Sequence, residues 1–148
     1  MRRGFRRAVV TLAVLIIGIQ FVRPARTNPA VEPGRALPAM YPLPAHAASV
    51  LDRACRDCHS NETRWPWYSH VAPVSWFVID HVNHGRSHFN YSDWAKYTPD
   101  DRAQLLKNSC ERAREEEMPL GSYLWMHRSA RLSSADVEAL CALVRARP

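Results

Sequence analysis

Residues Ala47 to His59 read A-A-S-V-L-D-R-A-C-R-D-C-H, and this stretch decides the fold. Ala47, Val50, Leu51, Ala54, Cys55 and Cys58 recur at three- and four-residue intervals, the spacing of one apolar face on an α-helix. Cys58 lies one turn beyond Cys55 on the same face, so two thiols sit side by side with the imidazole of His59 next to them. The C-x-x-C-H pattern offers two sulfurs for the vinyl groups of a porphyrin and a nitrogen for its iron. One covalently attached haem c is therefore the expected cofactor, with attachment at Cys55 and Cys58 and His59 as the proximal iron ligand.

Two other readings of the cysteine pair fit less well. A closed zinc site needs four ligands, and neither Cys110 nor Cys141 belongs to a second knuckle. A thioredoxin-like dithiol sits near a βαβ pattern, and no strand-like run leads into Cys55.

Working outward, the chain is expected to divide at 1–23, 24–45 and 46–148. Residues Ala8 to Val22 are mostly apolar and lie between Arg7 and Arg23, the composition of an export signal. As a helix they span roughly 22 Å, short of a hydrocarbon core of about 30 Å unless arginines snorkel or the bilayer thins. No A-x-A cleavage site follows closely, so an uncleaved membrane anchor is expected over a removed signal peptide. Arg2, Arg3, Arg6 and Arg7 place the remainder on the far side of a bacterial inner membrane, in the periplasm.

Those same four arginines account for most of the formal charge of +6 and leave +2 for the rest. Two haem propionates would bring that close to neutral, so a nucleic-acid role is not expected. Residues 24–45 hold Pro24, Pro29, Pro33, Pro38, Pro42 and Pro44 and are read as a linker, either a semi-extended tether or a coil along the domain surface.

The remaining pattern is helical, and the expected class is all-α. A second helix is expected from about Pro73 to Asn83, with Gly85 as its stop. Thr98, Pro99, Asp100 and Asp101 mark the start of a third, with Ala103, Leu106, Cys110 and Ala113 as its buried stripe. The last begins at Ser133 or Ser134 and buries Val137, Leu140, Cys141 and Val144. Cys110 and Cys141, on two core stripes, are candidates for a disulfide in an oxidising compartment.

Met118, directly before Pro119, is the first candidate for the distal iron ligand, with His127 next. Arg64, Trp65 and Trp67 are candidate haem contacts, since rings suit the macrocycle and a guanidinium suits a propionate. Arg86 and His88 are weaker propionate candidates. Glu115, Glu116 and Glu117 are either a solvated helix end or a surface that steers a basic redox partner.

The helix bearing C-x-x-C-H, the later Met-Pro and the terminal helix resemble class I cytochromes c. A closer resemblance is to a family of small bacterial haem-binding-domain proteins. It rests on Cys55 to Tyr68 (C-R-D-C-H-S-N-E-T-R-W-P-W-Y), Ala72 to Trp76, Gly85 to Trp94, Glu117 to Leu120 and Met126 to Ser133. The resemblance implies haem attachment at Cys55 and Cys58 and ligation by His59, in a small helical domain around one haem. Leu143 departs from the pattern, where relatives often carry tryptophan.

The function expected from these residues is a membrane-tethered electron carrier with redox protein partners. The alternatives are a five-coordinate haem sensor or peroxidase-like enzyme, and a structural haem-binding module. No nucleophile, acid–base pair or second metal set marks an enzyme.

Overall fold

A computed structural model describes residues 2–145, so Met1 and the last three residues of the expected 46–148 domain lie outside the described residues. Among the described residues every regular element is helical. The helices are α1 (Arg2–Ile19), α2 (Leu37–Met40), α3 (Ala45–Val50), α4 (Arg56–His59), α5 (Val74–His88), α6 (Pro99–Arg114), α7 (Gly121–Leu124) and α8 (Ser134–Arg145). A π-helical segment, Leu51–Cys55, joins α3 to α4, and short 3-10 turns fill several of the connections.

The long helices start where their side chains can satisfy free backbone amides. Thr98 Oγ1 accepts from Asp101 N at 3.2 Å while the Asp101 carboxylate accepts from Thr98 N at 3.3 Å, with Pro99 in the first turn. Ser133 and Asp136 exchange the same pair of bonds at the start of α8. The two helices then pack together. Leu106, Cys110 and Ala113 of α6 and Leu140, Cys141 and Leu143 of α8 are buried, and Cys110 is bonded to Cys141 across a Cα separation of 4.8 Å. Ala103, expected in the α6 stripe, faces solvent. Leu143 is 2 % exposed, so leucine fills the place where the family resemblance anticipates tryptophan.

The proline-rich segment lies along this core. Leu37 and Tyr41 are buried among Ala47, Val50, Trp94 and Leu140, and the Tyr41 hydroxyl donates to the Leu143 carbonyl at 3.1 Å. Burying a leucine of this kind contributes about 2 kcal/mol. Prolines still allow the chain a 3-10 turn at Pro33–Arg35 and one turn of helix at Leu37–Met40, because proline is tolerated in a first turn. Residues 26–28 are held as well: Arg26 donates to Ser69 O and Asn28 to Thr63 O, each at 3.0 Å.

Two expectations need correction. Gly85 does not stop α5, which continues to His88. It is a point of close approach, where a Cβ would stand 2.4 Å from the carbonyl oxygen of Cys58. Nor is the expected membrane helix supported, because no helix among the described residues is long and apolar enough to cross a membrane. In α1 the arginines take up the first turns and only Ala8 to Ile19 are left as its apolar part.

Candidate functional site

The π-helical segment delivers the cysteines. Between Leu51 and Cys55 the backbone bonds span five residues rather than four, and regular α-helix resumes at Arg56. Such single-turn insertions recur at functional sites because they change the direction in which the following side chains leave the helix. Arg53 fastens this segment to the rest of the domain. Its guanidinium donates to Ser129 O at 2.7 Å and Arg131 O at 3.1 Å and pairs with the Asp136 carboxylate at 2.6 Å. Asp52 holds Arg56 at 2.8 Å on the same helical run.

Cys55 and Cys58 are both free thiols, unlike the bonded pair Cys110 and Cys141. Burial pushes the Cys55 thiol up to about 12, with the neighbouring Cys58 adding to the effect, and pushes Cys58 up to about 11 with help from the Asp57 charge. Reactive dithiols need the opposite shift, toward thiolate at neutral pH. Among the described residues no group of three or more His, Cys, Asp or Glu is placed to hold a metal ion.

His59 has a fixed orientation. Its Nδ1 lies 2.9 Å from the Phe89 carbonyl oxygen, and as that oxygen can only accept, Nδ1 carries the proton. The ring nitrogen left with a lone pair is Nε2. Burial lowers the His59 pKa, which keeps the ring neutral as a metal ligand requires. The Phe89 carbonyl is itself positioned by the end of α5, where Phe89 N donates to Gly85 O at 2.9 Å. Close contact of Gly85 with Cys58 and the bond from His59 to Phe89 therefore join α4 to α5 at both ends of one turn.

The chain after the motif is equally constrained. Thr63 Oγ1 donates to Asp57 O at 2.7 Å, Asn61 N to Ser92 Oγ at 3.0 Å, and Asn90 Nδ2 to Asn61 Oδ1 at 2.8 Å. Arg86, expected as a weak propionate partner, spends its guanidinium on protein groups instead. It donates to Ser60 O, Thr27 O, Asn28 Oδ1 and Thr63 Oγ1 at 2.7–2.9 Å, binding the proline-rich segment and the loop after His59 to α5.

Arg64 and Trp65 line a cavity of about 390 Å³ together with Arg53, Asp57, Tyr123 and His127. Arg64 is exposed and gives Nη2 to both oxygens of Asp52 at 2.8–2.9 Å. Trp67 stands outside the cavity lining and is 72 % exposed. Met118 lies on the loop between α6 and α7, 40 % exposed, and Met118 N and Glu117 N both donate to Arg112 O. The Arg112 side chain pairs with Glu115 and Glu117, so the acidic run is partly neutralised at its own helix end.

Sequence reasoning missed one cluster. The Tyr123 hydroxyl donates to Asp57 Oδ2 at 2.7 Å, the Tyr123 ring stacks on His127 at 4.0 Å, and Tyr68 Oη approaches the His127 ring nitrogens at 3.4–3.5 Å. Burial and the bond to Asp57 raise the Tyr123 pKa. His127, the second candidate for the distal ligand, is thus engaged with two tyrosines.

A family model described as a haem-binding domain matches residues 14–146. The chain belongs to the haem-binding domain family. No curated protein and no solved structure matches the chain. For a haem-binding domain the residues present are chemically apt: a neutral imidazole with its proton committed to Nδ1, and two protonated thiols on the same helical run. The matched span also takes in the proline-rich segment, in keeping with the burial of Leu37 and Tyr41.

Proposed function

We propose that this haem-binding domain carries one haem c, held by thioethers at Cys55 and Cys58, and works as a one-electron carrier on the periplasmic side of the bacterial inner membrane. His59 Nε2 and Met118 are the residues that would hold its iron. The iron, once bound, supplies a one-electron couple whose potential is set by its axial ligands and the burial of the ring. The observation that carries the reading is the His59 Nδ1 bond to the Phe89 carbonyl on a helical run with two free thiols.

What the chain's own residues contribute is position. The carbonyl of Phe89 fixes the imidazole plane and tautomer, and hydrogen bonding there raises the basicity of Nε2. Arg53, Arg86 and Gly85 hold the attachment helix against α8, the post-motif loop and α5. The Cys110–Cys141 bond suits an oxidising compartment and supports the periplasmic placement. Attachment to the inner membrane is through α1, and the partners are redox proteins.

An optical spectrum of the protein, made with the c-type maturation machinery and recorded oxidised and reduced with and without carbon monoxide, tests the ligand set. A reduced spectrum unchanged by carbon monoxide supports the six-coordinate carrier. Ready binding of carbon monoxide would replace it with a five-coordinate sensor or peroxidase-like enzyme.

A further inference from the structure

The apolar residues of α1 and an apolar rim of the domain meet at one place. None of α1 is buried, and Val9, Leu12, Leu15, Ile16 and Ile17 are all about half exposed or more. Its exit is fastened to the domain by a reciprocal pair of bonds: Gln20 Nε2 donates to Ala72 O at 3.1 Å and Ala72 N donates to Gln20 Oε1 at 3.0 Å. Trp76 Nε1 adds a bond to Val22 O at 2.7 Å. Around this clamp Phe21 is 82 %, Phe77 51 %, Val74 45 % and Val71 44 % exposed.

The apolar part of α1, Ala8 to Ile19, measures roughly 18 Å at 1.5 Å per residue, against a hydrocarbon core of about 30 Å. Arginine stems can snorkel at one end of this helix. Arg23 stands at the other end, and there the rim also continues the apolar surface onto the domain. Beyond Phe77 the surface turns polar with Asp80, which pairs with His84 at 3.3 Å. Arg23, exposed beside the clamp, is placed for lipid phosphate.

Resting on the membrane attachment proposed above, we infer that Phe21, Val71, Val74 and Phe77 form a docking rim that sinks into the phospholipid interface. The domain is then seated on the bilayer, with the clamp at Gln20 and Trp76 fixing its orientation. The proline-rich segment runs back along the domain and does not act as a spacer.

The test uses the full-length holoprotein in vesicles of phosphatidylethanolamine and phosphatidylglycerol, doped with a phospholipid bearing a diazirine near the top of its acyl chain. After illumination, lipid adducts are mapped by peptide mass spectrometry. The rim predicts adducts on α1 and on the peptide spanning residues 69–78, the latter lost in the Val74→Ser/Phe77→Ser double variant while those on α1 persist. Adducts confined to α1 would overturn the rim and leave membrane attachment standing. No adducts anywhere would overturn both.

Discussion

Gly85 and Cys58 are in backbone contact: a Cβ at Gly85 would stand 2.4 Å from the Cys58 carbonyl oxygen and 3.0 Å from its carbonyl carbon. Neither atom belongs to a flexible side chain. Gly85→Ala therefore has to push α5 off the attachment helix, and overpacking of this kind costs about 1 to 3 kcal/mol. The same displacement draws the Phe89 carbonyl away from His59 Nδ1. Denaturant unfolding of the haem-loaded variant should show a lower midpoint, and a wild-type midpoint would show that the two helices are not held this closely.

Asp136 predicts how the fold responds to acid. The Ser133 backbone N–H, then the Arg53 guanidinium, hold its carboxylate well below the usual range, and His46 adds a bond at 2.8 Å. A depressed folded pKa means the contribution is complete above the unfolded value of about 4 and is lost as pH falls through the lower folded value. Stability measured by thermal unfolding should fall in this window, and Asp136→Asn should flatten that part of the curve while lowering stability at neutral pH. A variant with an unchanged acid profile would remove Asp136 from the account.

The two cysteine pairs should be separable. Cys110→Ser/Cys141→Ser opens a loop with a sequence separation of 31. Losing such a cross-link costs about 3 to 4 kcal/mol. Haem content should be retained under mild conditions, since the bond ties α6 to α8 and Cys55 and Cys58 lie elsewhere. Loss of haem at temperatures where the variant is folded would mean that the pairs are coupled.

Met118→Ala tests the distal ligand. The reduced variant should bind carbon monoxide and change its ligand-field spectrum, whereas the parent should not. A variant spectrum identical to the parent's would return Met118 to an ordinary loop position and shift attention to His127.

Local chemistry was the legible part of the sequence. Thr98 with Asp101, and Ser133 with Asp136, announce helix starts because capping needs only residues a few positions apart. Cys110 and Cys141 were legible as a pair through the stripes that carry them. Long-range packing was not. Gly85 reads locally as a helix stop, and only the approach of Cys58 from 27 positions earlier explains a glycine inside α5. The proline-rich run reads equally as a tether or as a coil on the domain surface, and only the packing of Leu37 and Tyr41 among residues of α8 decides for the second. The Asp57–Tyr123 bond joins residues 66 apart, and no local pattern signals it. Nor does composition distinguish the π-helical register of Leu51–Cys55 from ordinary helix.

The central claim is covalent haem at Cys55 and Cys58. Intact mass spectrometry of the protein, produced with the c-type maturation machinery and stripped with acid and organic solvent, tests it most directly. The chain should keep the mass of one haem, and the Cys55→Ala/Cys58→Ala variant should lose it entirely. A wild-type chain of bare polypeptide mass, its haem extracted by the solvent, would contradict it.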